Sequence, residues 1–129
     1  MIRLIELEEK DITRELFSRA QFFSYAGSGA MGDAGAVIIV TDDARAYYCN
    51  YVYGNVSADV ITKAFPLWLK APYRLPEDWI FYDLGMGNQL LVKKIYQAEF
   101  EELAGENISP VFLYQNWLKF AIDIISSKQ

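Results

Sequence analysis

Val37-Ile38-Ile39-Val40-Thr41-Asp42-Asp43-Ala44-Arg45-Ala46-Tyr47-Tyr48-Cys49-Asn50-Tyr51-Val52-Tyr53 is the stretch that decides the fold class. The β-branched run at 37–40 favours a strand, and so does the tyrosine-dense run from Arg45 to Tyr53. The acidic pair Asp42-Asp43 between them is turn chemistry, so the two runs read as a hairpin. A second hairpin follows, with Trp79 to Leu84 and Leu90 to Lys94 flanking Gly85-Met86-Gly87-Asn88. Short connections within each pair argue for antiparallel pairing.

The flanking segments read as helices. Asp11 is the expected N-cap of a helix over about 11–26, with Ile12, Leu16, Ala20 and Phe23 on one stripe. Residues 2–7 alternate weakly and fit a short strand or the lead-in to that helix. Ser57 caps a further helix that runs through Val60, Ile61 and Ala64 until Pro66 stops or kinks it. A third helix spans about 96–104 and ends at Gly105. The last starts at Ser109 with Pro110 in its first turn and reaches Ile125, its polar residues confined to a narrow face that implies extensive burial. These elements specify a single α+β domain over 1–129: an antiparallel sheet of four or five strands with about four helices packed on it.

Composition narrows the function. With 129 residues, 53% of them hydrophobic, the chain can hold a core without staples. Twelve basic against seventeen acidic residues leave a net charge of −5, which opposes direct binding to nucleic acid or to an anionic membrane surface. There is no histidine, which removes imidazole acid–base catalysis, His-activated nucleophiles and every His-containing metal site. The single cysteine, Cys49, suits a reducing compartment. The first ten residues are too acidic for a signal peptide and no apolar run is long enough to span a bilayer, so a cytoplasmic location is expected.

Several motifs have a bland explanation beside a functional one. Gly27-Ser28-Gly29-Ala30-Met31-Gly32 matches G-x-G-x-x-G. That cradle needs a strand before the glycines and a helix after them, whereas here a helix is expected before and a strand after. Gly85-Met86-Gly87-Asn88 is a turn first and a ligand loop second. Lys93 and Lys94 point to opposite faces of a strand and make no shared anion clamp. The carboxylates of Asp42-Asp43, Glu77-Asp78 and Glu99, Glu101 and Glu102 read as solvated surface, and Cys49 as a small buried hydrophobe. No catalytic residue, cofactor or metal is therefore assigned. Tyr47, Tyr51 and Tyr53 share one face of their strand and Tyr48 occupies the other, so one set packs on the core while the other needs a covering helix or a partner.

Phe22-Phe23-Ser24-Tyr25-Ala26-Gly27, Gly29-Ala30-Met31-Gly32, Val37–Thr41, Asn50-Tyr51, Tyr53-Gly54-Asn55, Leu84–Asn88 and the Trp117 helix together resemble small acidic bacterial immunity-type proteins, the partners of polymorphic toxins. The resemblance lies in size, acidity and motif style and carries over no contact residue. It implies a non-enzymatic cytoplasmic protein that binds and neutralises a toxin domain. An acidic surface with tyrosine patches suits a basic protein partner, with Asp42, Asp43, Tyr51, Tyr53, Asn55 and Asp59 as contact candidates. The alternative is a small-ligand-binding protein or a carboxylate-based enzyme in which the 27–32 and 85–88 loops meet at one pocket with Asp33, Asp83 or a tyrosine hydroxyl. A homodimer formed through a tyrosine face is a third reading.

Overall fold

The computed structural model describes residues 2–26, 36–50, 56–65, 75, 77–106 and 108–129. Its strands are β1 (Leu4–Glu6), β2 (Ala20–Ala26), β3 (Ala36–Thr41), β4 (Ala46–Asn50), β5 (Trp79–Gly85) and β6 (Asn88–Lys93), and its helices are α1 (Arg14–Ser18), α2 (Ala58–Ala64), α3 (Gln97–Ala104) and α4 (Pro110–Ser126). The class is α+β. The strands form one six-stranded sheet in the order β1-β4-β3-β2-β6-β5. This is larger than the expected four or five strands and is mixed, because β1 lies parallel to β4 with Leu4 opposite Ala46 and Glu6 opposite Tyr48.

The added central strand comes from the segment expected to be helix. Over 11–26 only α1 is α-helical, capped by Thr13, whose side chain accepts from the Leu16 N–H, rather than by Asp11. Asp11 instead closes a short 3₁₀ turn, accepting from the Glu8 N–H at 3.0 Å. From Ala20 the chain is extended, with Phe23 opposite Ile39 of β3 and Leu91 of β6. Helical spacing misleads here because β2 is buried on both faces. Phe22 and Phe23 point to opposite sides and both are fully buried, so no alternation of apolar and polar residues marks the strand.

The two faces carry separate cores. One holds Phe23, Tyr25, Val37, Ile39, Cys49, Trp79 and Leu91 against Phe17 of α1, Ile61 and Ala64 of α2, and Phe65 at the C-cap of α2. The other holds Phe22, Val40, Ala46, Leu84, Leu90 and Val92 against Phe100 of α3 and Leu113, Trp117, Phe120, Ala121, Ile124 and Ile125 of α4. The chain is thus three layers, with helices on both sides of the sheet. The helix ends follow their sequence signals: Ser57 accepts from the Val60 N–H, Ser109 from the Phe112 N–H, and Gly105, at φ 64°, terminates α3. Among the described residues no helix is long and apolar enough to cross a membrane.

Candidate interaction site at the loop-bearing end of the sheet

The register brings several chain exits to one end of the sheet. Ala26, the last residue of β2, pairs with Asn88, and Ala36, the first of β3, pairs with Asn50, the last of β4. The Met86-Gly87 turn between β5 and β6 closes the same end, with Gly85 opposite Asn88. Segments 27–35 and 51–55 depart from these positions but lie outside the described residues, and with them Tyr51, Tyr53, Asn55 and the six-residue glycine motif. A strand does precede the glycines, correcting the expected helix. The segment links β2 to its antiparallel neighbour β3, which is the next element among the described residues, whereas the dinucleotide cradle leads from its strand into a helix that carries the chain to a parallel strand.

At this end the β5–β6 turn and the first turns of α4 enclose an apolar groove. It is lined by Leu84, Gly85, Met86, Pro110, Val111 and Tyr114 together with the polar Asn88, and no charged residue contributes to its walls among the described residues. Met86 is 99% exposed, Val111 67% and Tyr114 56%. Pro110 opens α4 beneath the turn, and a Cβ on Gly85 would sit 3.5 Å from the Pro110 Cβ. The adjacent acid, Asp83, is engaged locally, its Oδ1 accepting from the Gly85 N–H at 2.8 Å.

The turn itself is costly. Met86 has φ 52° and Gly87 φ 81°, the positive pair of a type I′ turn. Glycine or asparagine adopts that conformation at little cost, whereas other side chains at positive φ lose about 1 kcal/mol or more. A flexible apolar side chain is therefore held in a disfavoured backbone geometry and presented wholly to solvent. Sequence reasoning missed this site because α4's stripe of Gln115, Asn116, Lys119, Asp123 and Ser126 suggested the only exposed face, and Val111 and Tyr114 lie beyond it. The available signal was a methionine at a turn position that favours asparagine or glycine.

The remaining candidate residues lie elsewhere. Asp42 and Asp43 occupy the opposite end of β3, roughly 17 Å away at the usual rise per residue. They are already paired: Arg19 reaches Asp42 Oδ1 at 2.9 Å and Asp43 Oδ2 at 3.1 Å, Arg45 approaches Asp43 at 3.4 Å, and the buried Thr41 hydroxyl donates to Asp43. Burial raises the Asp43 pKa, but the hydrogen bonds from Thr41 and Arg19 outweigh it and hold the group below the ordinary aspartate range. Gln129 donates to the Asp42 carbonyl at 3.0 Å, tying the C-terminal residue to the same turn. Asp59 is exposed in the first turn of α2.

Tyr47 packs against the core on the α1–α2 side, while the Tyr48 hydroxyl donates to Glu6 Oε2 at 2.9 Å. Cys49 is buried, and burial pushes its thiol up to about 11. Tyr82 is likewise raised, by burial first and then by the charge of Glu101. Glu99 is paired with Lys128 at 2.9 Å. Among the described residues no group of three His, Cys, Asp or Glu side chains is arranged to hold a metal ion. Comparison with known protein families, curated proteins and solved structures finds no match to this chain.

Proposed function

We propose that this chain is a non-enzymatic protein-binding module acting in the cytoplasm, in the manner of the immunity-type proteins it resembles, and that its anchor is the Met86–Val111–Tyr114 groove. The exposure of Met86 at positive φ carries the reading. An exposed apolar side chain held in a disfavoured conformation benefits the folded monomer little, and the same side chain seated in a partner is well suited to the centre of an interface. A net charge of −5 favours a basic partner, whose approach it would accelerate, and disfavours a second copy of the chain.

The test is a paired capture from a lysate of the source cells, with the wild-type chain and Met86→Asn as baits at low and moderate salt, followed by titration of the purified retained protein. The expected result is a basic protein whose affinity falls about tenfold or more for Met86→Asn and whose association slows as salt rises. Equal affinity of the two baits, or no stoichiometric partner at either salt, would overturn the proposal. Charge steering is tested with Asp42→Asn; lysine at Asp43 would set a cation among Arg19 and Arg45 and perturb the fold instead.

One observation favours the ligand alternative: the Ala26–Asn88 pairing means that both glycine segments leave the sheet side by side. Thermal shifts against a panel of small metabolites test that reading, since a ligand held by the native state raises Tm with concentration. Sedimentation at several concentrations separates a self-pairing chain from one that binds a different protein.

A further inference from the structure

A second concavity lies on the other helical layer, where α1, the end of α2 and the β5–β6 pair meet. It has a volume of about 340 Å³, within the range of small-molecule sites. Its floor is aromatic. Phe17 stacks on Phe65 with centroids 5.3 Å apart, and Phe65 meets Trp79 edge-on at 5.9 Å. Two cations stand at its rim. The Lys93 ammonium lies 5.4 Å from the Trp79 ring centroid, and Arg14 donates from Nε to the Lys63 carbonyl at 3.3 Å. That bond orients the Arg14 guanidinium and uses Nε, leaving the two terminal nitrogens for a carboxylate. Ser18 also lines the cleft, and its hydroxyl proton is engaged with the Glu15 carbonyl at 2.6 Å. No carboxylate lines the cleft among the described residues, although the acidic chain has many to offer.

We propose that this cleft binds a small monocarboxylate with an aromatic or branched apolar body, independently of the partner groove. Phe17, Phe65 and Trp79 are 2%, 5% and 7% exposed, so it is their edges, with Ala64, that meet the apolar body, and Arg14 and Lys93 receive the carboxylate. The sequence pairing of Lys93 with Lys94 concealed this, because the fold places Lys93 on the same cleft as Arg14, 79 positions earlier in the chain. A single negative charge fits better than a polyanion, since the net charge of −5 repels extended anions at long range while the two rim cations act locally. Asp78, 3.6 Å from Lys93, is the group a bound carboxylate would displace.

The test is a ¹H–¹⁵N titration of the full chain with 3-phenylpropionate, with 3-phenylpropan-1-ol as the neutral control and acetate as the charge-only control. Saturable shifts at the Trp79 indole and at the Ser18 and Lys93 amides are expected, with Kd of roughly 1 mM or tighter for a ligand of this size. The alcohol and acetate should bind at least about tenfold more weakly. Arg14→Gln and Lys93→Met should each lower affinity about tenfold, and Asp78→Asn should raise it. Lys93→Met keeps an apolar stem over Trp79, so the native spectrum persists. Absence of saturable shifts at these positions, equal binding of the alcohol, or unchanged affinity in both rim variants would overturn the proposal.

Discussion

At the scale of single residues, Met86 and Cys49 show opposite uses of burial. Met86→Asn replaces a side chain that disfavours positive φ with one that tolerates it, so the variant should be more stable by about 1 kcal/mol, a rise in Tm of about 4 °C. A stabilised fold that has lost its partner is the signature of a residue kept for binding, and thermal unfolding beside the capture assay reads both. Cys49 predicts an alkaline weakness. Burial raises its thiol to about 11, so the native state retains a proton that the unfolded chain releases near the ordinary thiol value. Its contribution to stability is complete below about pH 8.5 and declines as pH rises towards 11. Urea unfolding from pH 8 to 10.5 should show a steeper loss for the wild-type chain than for Cys49→Ala. The raised tyrosines Tyr48, Tyr82 and Tyr96 are common to both and cancel.

Among the elements, the β3–β4 connection is a four-residue turn, Asp42 to Arg45, in which Ala44 has φ 62° and its N–H donates to the Thr41 carbonyl at 3.0 Å. Glycine is the residue that position favours, so Ala44→Gly should stabilise the chain by about 0.5–1 kcal/mol, measured by urea unfolding, despite the entropy glycine adds to the unfolded state. Both hairpins and α4 were legible in the sequence because each carries local chemistry: Asp42-Asp43 and Gly85–Asn88 at turns, Ser109-Pro110 at a helix start. β2 was not, since Phe22 and Phe23 face different cores and the alternation that marks a half-buried strand never arises. β1 stayed open because three residues leave too short a pattern, and its parallel partner is supplied by a segment 42 positions away. The groove and the cleft were illegible for the same reason: Tyr114 and Met86 share one groove, and Arg14 and Lys93 one cleft, only through tertiary packing.

Across the whole molecule, β3 and β2 occupy the middle of the sheet with helices on both sides, β6 lies next to β2, and β1 is a three-residue edge. Native-state hydrogen exchange should therefore find the amides of β2, β3 and β6 opening only with global unfolding, and those of β1 exchanging through local release. Uniform protection across all six strands would contradict this ranking.

The pairing of Phe22 with Val92 across 70 positions also shapes how the chain is made. As it leaves the ribosome, β2 and β3 can form a ribbon early, but one side of β2 stays unpaired until β6 has been synthesised. During that interval Phe22, Phe23 and Tyr25 sit on a bare strand edge, the kind of surface that recruits a neighbouring nascent chain. Synthesis rate and chaperone supply, rather than the stability of the finished fold, then govern how much of this protein reaches its native state.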